Sequence, residues 1–423
     1  MSALPARRWL APLLLALALS SGCNPYHPQL AAAAEPAAPP KAAPPLAHDI
    51  PPVGTSGLTD FGDPNRERLI ANFRARQAGA AAGTLSIVQL GDSHTASDTF
   101  TSGLRRTLQA SLGNAGIGWI APMDIRGQSH MLVKVRSTHW QLTSSRTEEH
   151  PHFPLGGNIA MPTREGARIR IELRQPDTSL YRASFLVRQT TTGPALLVED
   201  ARGRRQPLAP RQPGEGWQRV TVDVRLPFSI TAPRAQGAQL RGIWLEKTGS
   251  NGVIVSPVGT NGARQTIFEK WSPGWLEQLQ ATHADLIILA YGTNESFDDK
   301  LLAEDMATSL RAGIRQIRRA LPDAAVLIVG IPDAMDRARP APASCQDRRP
   351  AMHDTVRRVQ WEVAREEKTL FWDWKQAMGG ACPMLEWQQR EWVGKDLVHF
   401  TMEGYQESSR RFLSDFFGFL NQP

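Results

Sequence analysis

Residues 84–98 read TLSIVQLGDSHTASD. Leu85 to Leu90 is an apolar, β-rich run, which predicts a buried strand. The run stops at Gly91-Asp92-Ser93. From Thr95 to Ala110, residues Phe100, Leu104 and Leu108 recur at helical spacing and predict a helix. Ser93 is therefore placed where a strand ends and a helix begins. In open α/β sheets that is where ligands bind.

Working outward, Asn65–Ala78 predicts a short helix, and Gly113, Gly116 and Gly118 read as a loop. From about Arg126 to Gly252 the character changes. Short segments of period two dominate, such as Ile169-Ile171-Leu173 and Val220-Val222-Val224, with turn residues between them. That pattern predicts an antiparallel β-sandwich. Beyond Val258, strands and helices alternate again. Helices are expected over Thr266–Ala281, Leu301–Leu321, Pro350–Lys368 and Glu403–Leu420. Strands are expected over Asp285–Ala290, Ala324–Ile331 and Thr369–Trp372. The fold class read from this order is α/β: a parallel sheet with helices on both faces, interrupted by an antiparallel β-sandwich domain.

The N-terminus bears on location. Residues 1–22 carry Arg7 and Arg8, then the apolar run Leu10–Leu19, then small residues, which reads as a bacterial export signal. Cys23 follows where a lipobox places its lipidated cysteine, although Ser20 stands where Leu is usual. Lipid anchoring and plain signal cleavage both remain open. Residues 23–54 alternate Ala and Pro and read as a tether biased to extended polyproline II. The expected organisation is thus a signal (1–22), a tether (23–54), a first catalytic part (55–125), the β-sandwich module (126–252) and a second catalytic part (253–423). Export predicts a periplasmic protein and oxidising surroundings, in which Cys345 and Cys382 are expected to pair.

Composition narrows the classes. The 423 residues are 41% hydrophobic and 21% charged, which excludes a wholly disordered or collagen-like chain. Three cysteines exclude a disulfide-dense scaffold. Beyond the N-terminus no run of about 18 apolar residues occurs, so a multispan membrane protein is excluded. The net charge is +7, from 48 Lys+Arg against 41 Asp+Glu. Removing Arg7 and Arg8 with the signal leaves 7 − 2 = +5. This charge is spread without a dense run; together with export it speaks against nucleic acid and allows a mild attraction to an acidic cell wall.

Four short motifs carry the chemistry: Gly91-Asp92-Ser93-His94, Gly259-Thr260-Asn261-Gly262, Gly292-Thr293-Asn294-Glu295 and Asp396-Leu397-Val398-His399. The first and third fall at the carboxyl ends of expected strands. A serine hydroxyl is a weak nucleophile and needs an adjacent base. His399 can take its proton, and Asp396, three residues earlier, can hold the imidazole. The Ser93 N–H, a Gly262 N–H and the Asn294 amide can donate to an oxyanion. No G-x-S-x-G elbow, H-E-x-x-H motif, Walker loop or G-x-G-x-x-G opening a helix competes. No metal or cofactor is expected.

Taken in order, these four blocks resemble those of the SGNH hydrolases, also called GDSL-type esterases. The resemblance covers Leu85 to about Asp124 and Val255 to Leu420. It implies an SGNH-like α/β/α sandwich, Ser93 as nucleophile, Asp396 and His399 completing the triad, and Gly262 and Asn294 completing the oxyanion hole. His94 stands where Leu is usual, and Glu295 where Asp is usual. With the β insertion, the chain is similar to the peptidoglycan O-acetylesterases of Gram-negative bacteria, in which a carbohydrate-binding-like module interrupts the catalytic domain. The resemblance implies a serine esterase removing O-acetyl groups from an exported polysaccharide, with peptidoglycan muramic acid foremost. An O-acetyltransferase using the same residues and a non-catalytic wall-binding lipoprotein are the alternatives. The tryptophans at 271, 275, 361, 372, 374, 387 and 392 are expected to pack the core, and Trp119 to line the cleft.

Overall fold

The computed structural model describes residues 57–422, apart from 151–152, 191, 193, 212–213, 215, 236, 272–273, 339–343 and 380. The expected signal, tether and Cys23 lie outside the described residues. The chain begins with β1 (Leu58–Asp60), α1 (Arg66–Gln77), β2 (Thr84–Gly91), α2 (Ser93–Ala96), α3 (Thr99–Leu112) and β3 (Gly116–Ile120). Ten strands follow: β4 (Val133–Thr138), β5 (Trp140–Ser144), β6 (Asn158–Pro162), β7 (Ala167–Leu173), β8 (Tyr181–Gln189), β9 (Leu196–Glu199), β10 (Arg205–Leu208), β11 (Gln218–Val224), β12 (Phe228–Ala232) and β13 (Ala238–Lys247). Then come β14 (Gly252–Gly259), α4 (Trp275–Gln280), β15 (Leu286–Ala290), α5 (Thr293–Ser296), α6 (Ala303–Ala320), β16 (Ala325–Gly330) and α7 (His353–Glu366). The last elements are β17 (Leu370–Asp373), α8 (Trp374–Met378), α9 (Pro383–Gln389) and α10 (Met402–Leu420).

One sheet has the order β1-β17-β16-β15-β2-β14. Its neighbours are parallel except β1, which runs antiparallel on β17. Side chains alternate across it, so each strand feeds two cores. Leu85 and Ile87 of β2 face the core built by α1, α3 and α10, with Phe100, Leu104 and Phe412. Val88 and Leu90 face the opposite core, with Leu310, Ile314 and Ile317 of α6 and Val356 of α7. Burying each such side chain stabilises the fold by roughly 1.5–3 kcal/mol relative to exposure. Helix α6 shows the pattern plainly. Its Met306, Leu310, Ile314 and Ile317 are buried, while Arg311 and Arg315 pair outward with Glu366 and Glu367.

The antiparallel strands form two further sheets, β10-β9-β12-β7-β4 and β11-β8-β13-β6-β5. They close on a core of alternating residues, among them Ile169, Ile171, Phe185, Phe228 and Ile243. The fold is therefore α/β with an antiparallel β-sandwich interrupting the parallel sheet. The sandwich strands lie between β2 and β14, which are adjacent in the parallel sheet.

The structure corrects several elements. The expected helix over Thr95–Ala110 is two helices, because Asp98 adopts a left-handed conformation (φ 55°) between them. The expected helix over Thr266–Ala281 is a 3-10 segment, Gln265–Lys270, followed by α4. The Gly113–Gly118 loop contains β3, which pairs with β13 of the sandwich. Strand β14 was not anticipated. Its Pro257 argues against a strand interior, but β14 is an edge strand, where a missing N–H is tolerated. Cys345 and Cys382 form a disulfide with Cα atoms 6.0 Å apart. No helix among the described residues is long and apolar enough to cross a membrane.

Candidate active site

Strand β2 delivers Ser93. It ends at Gly91, where a Cβ would lie 2.7 Å from the Ala290 carbonyl oxygen of the neighbouring strand, so glycine permits this close approach. Asp92 then caps the turn, its Oδ1 accepting from the His94 N–H at 3.0 Å. Ser93 is the first residue of α2.

The partners of Ser93 arrive from far along the chain. His399 Nε2 lies 2.7 Å from Ser93 Oγ, and His399 Nδ1 lies 2.6 Å from Asp396 Oδ2. The other carboxylate oxygen of Asp396 accepts from the N–H groups of Val398 and His399, at 3.1 and 3.0 Å. This Asx turn, with Leu397 in a left-handed conformation (φ 60°), holds acid and imidazole on one short loop. Thr401 immediately caps α10, so the loop is tied to a long rigid helix.

Electrostatics favour an imidazole that accepts protons. The hydrogen bond that His399 donates to Asp396 raises the His399 pKa above its ordinary value; partial burial opposes this, and the charges of Asp396 and Asp92 add to it. Burial pushes Asp396 up, but the hydrogen bonds from His399 and from the backbone outweigh it and leave the carboxyl well below the usual range. With Nδ1–H donating to Asp396, Nε2 is free to accept the Ser93 proton.

The other two motifs meet beside this chain. Thr260 N–H donates to the Gly91 carbonyl at 3.0 Å, which seats the 259–263 loop against the end of β2. Asn294, in α5 after β15, donates through Nδ2 to the Ala263 carbonyl at 2.8 Å. Gly262, just before Ala263, has φ 71°, a conformation that favours glycine. Among the described residues, no three His, Cys, Asp or Glu side chains converge as a metal site.

Three residues around the site were not assigned roles from sequence. Glu295 is buried, and its Oε1 accepts from the Gln265 N–H at 2.6 Å, bracing the loop that Asn294 also holds. Burial raises its pKa to about 7. Asp92 is fully buried beneath Ser93 and its pKa is raised to about 6 by burial. His94 is buried among Trp374, His399, Phe400 and Tyr405, with Nδ1 2.8 Å from the Tyr405 hydroxyl. Burial, with help from His399, holds its pKa down at about 3, so it stays neutral. The motif spelling marked His94 and Glu295 as departures, but only the fold shows what they touch.

Fold and site together define a GDSL-type ester hydrolase. A model of the GDSL-like lipase/acylhydrolase family matches residues 221–407, and a model of the peptidoglycan O-acetylesterase N-terminal region matches residues 115–229. A solved structure described as a peptidoglycan O-acetylesterase in action is 32% identical, with a TM-score of 0.76, over 86% of this chain and 99% of that one. The chain belongs to the peptidoglycan O-acetylesterase family. A GDSL-like lipase from Bacteroides thetaiotaomicron is 18% identical over 39% of this chain and 76% of its own, with a TM-score of 0.30. A carbohydrate-binding module from a Cellvibrio mixtus lichenase is 19% identical over 28% of this chain and 99% of its own, with a TM-score of 0.20. Neither of these two bears on function. No curated protein sequence matches the chain significantly.

Proposed function

We propose that this protein is a serine-dependent carbohydrate esterase that removes O-acetyl groups from peptidoglycan. The single observation that carries the reading is the continuous chain Ser93 Oγ, His399, Asp396, with links of 2.7 and 2.6 Å. The likeness to a peptidoglycan O-acetylesterase over nearly the whole of that relative supports the substrate.

The chemistry follows from the geometry. His399 Nε2 takes the Ser93 proton as Oγ attacks the ester carbonyl. The Ser93 N–H, a Gly262 N–H and the Asn294 amide stabilise the oxyanion. His399 then returns the proton to the departing sugar hydroxyl, leaving acetyl-Ser93. A water, deprotonated by His399, attacks this ester, releases acetate and restores the serine. Asp396 keeps the imidazole tautomer and stabilises the imidazolium throughout.

We read residues 55–125 and 253–423 as one hydrolase domain and residues 126–252 as its inserted β module. The N-terminal 22 residues serve export to the periplasm, with residues 23–54 as a tether from Cys23 when that cysteine is lipidated. The test is acetate release from O-acetylated peptidoglycan by wild type and by Ser93→Ala. Release by the wild type alone supports the reading. Acetyl transfer to unacetylated glycan without free acetate would favour a transferase instead.

A further inference from the structure

Ser93 stands on α2, a helix of only four residues. A single turn has too few hydrogen bonds to hold its own direction, so neighbouring elements must fix it. Asp92 accepts from the His94 N–H at 3.0 Å, and Gln89 Nε2 of β2 donates to Thr95 Oγ1 at 2.8 Å. Both contacts tie α2 to the strand it follows. Neither ties it to the segment that carries the base, His399.

His94 makes that link. It follows Ser93 directly, and its Nδ1 shares a hydrogen bond of 2.8 Å with the Tyr405 hydroxyl. Tyr405 belongs to the first turn of α10, the helix that Thr401 caps just after His399. Phe412, Phe416 and Phe419 bury α10 in the core, so its first turn is a firm anchor. His94 is 2% exposed and Tyr405 3%. The ring centroids of His399, Trp374, Phe400 and Tyr405 lie 5.2–5.8 Å from that of His94. An apolar side chain would fill this aromatic box without desolvating a polar atom, whereas a buried imidazole needs a partner. Burial holds the His94 pKa down at about 3 and pushes the Tyr405 hydroxyl far above its ordinary value, so the pair stays neutral wherever the enzyme works.

We infer that His94 and Tyr405 are positioning residues: their hydrogen bond fastens α2 to α10 and thereby holds Ser93 Oγ in line with His399 Nε2. The contact they govern is the 2.7 Å link across which the serine proton passes. Proton transfer and attack are sensitive to such alignment, a misplacement of about 1 Å costing ~10²-fold in rate. Both side chains are buried, so they act on the alignment of Ser93 and not on substrate binding. The inference rests on the serine-esterase reading and adds what sets its geometry.

The test is single-turnover hydrolysis of p-nitrophenyl acetate by the full chain in excess, which separates the acylation rate constant from substrate binding. It is run on the alkaline plateau, where His399 is neutral in every variant, and circular dichroism and urea unfolding confirm folded protein. His94→Leu keeps the box filled, and Tyr405→Phe removes only the hydroxyl. Each should slow acylation by ~10- to 100-fold and leave the dissociation constant within about twofold of wild type. Because both remove one shared contact, the double variant should lie within about threefold of the slower single variant, not at the product of the two losses. His94→Asn, whose amide takes the place of Nδ1, should regain at least about fivefold over His94→Leu. Folded His94→Leu or Tyr405→Phe acylating within about threefold of wild type overturns the inference and leaves the esterase intact. So do multiplicative losses in the double variant, or a loss confined to substrate binding. If Ser93→Ala turns over as fast as wild type, the serine mechanism falls and takes this inference with it.

Discussion

Gly259→Ala should disable the enzyme without unfolding it. Gly259 ends β14 in register with Gly91 at the end of β2, and begins the loop that carries Gly262. A Cβ on Gly259 would lie 2.2 Å from Ala96 N, 2.6 Å from Ala96 Cα and 2.7 Å from the Thr95 carbonyl carbon. Real Cβ atoms approach no closer than 3.0 Å, so the gap must widen by at least 3.0 − 2.2 = 0.8 Å. All three contacts are backbone, so no rotamer change relieves them. The displaced element is α2, whose first residue is Ser93. A misplacement of about 1 Å typically costs ~10²-fold in rate. The assay is kcat/KM for p-nitrophenyl acetate, with circular dichroism and urea unfolding to confirm a folded protein. Gly214→Ala is the control, since a Cβ there meets nothing within 4 Å. A folded Gly259→Ala within about threefold of wild type would refute the close coupling of α2 to the 259–263 loop.

Three further outcomes follow from the site. Because the base must be neutral and Asp396 raises the His399 pKa above 6.5, kcat/KM should fall as pH drops, with a midpoint above 6.5; Asp396→Asn should move that midpoint down and cut kcat by up to ~10⁴-fold, as checked by pH–rate profiles. Asn294→Ala should lower kcat on p-nitrophenyl acetate by ~10²–10³-fold, with a smaller effect on KM. Asp98→Ala should destabilise the fold by about 3–5 kcal/mol in urea, because it strands the Arg105 guanidinium, which is 1% exposed and paired to Asp98 Oδ1 at 2.8 Å. The double change Asp98→Ala with Arg105→Met should recover part of that loss.

The inner strands of the parallel sheet and its longer helices were legible because their residues obey simple periods. Strands β2, β15 and β16 are short apolar runs, and α6 shows one apolar stripe. The motifs were legible because a serine nucleophile needs a base and an acid of particular residue types, and the structure links Ser93 to His399 at 2.7 Å and His399 to Asp396 at 2.6 Å. What stayed hidden depends on tertiary context. Asp98 breaks the helix after Ser93 only because Arg105, Thr101 and the Met131 N–H gather on its buried carboxylate. Gly116 and Gly118 looked like a loop, yet their positive φ values (142° and 79°) sit in a strand pressed against β13 and β14.

The central claim is that Ser93 Oγ is the nucleophile. It is tested most directly by p-nitrophenyl acetate hydrolysis with wild type and Ser93→Ala, both shown to be folded. The account predicts a loss of at least ~10³-fold in kcat for Ser93→Ala. Equal rates in the two proteins would contradict it.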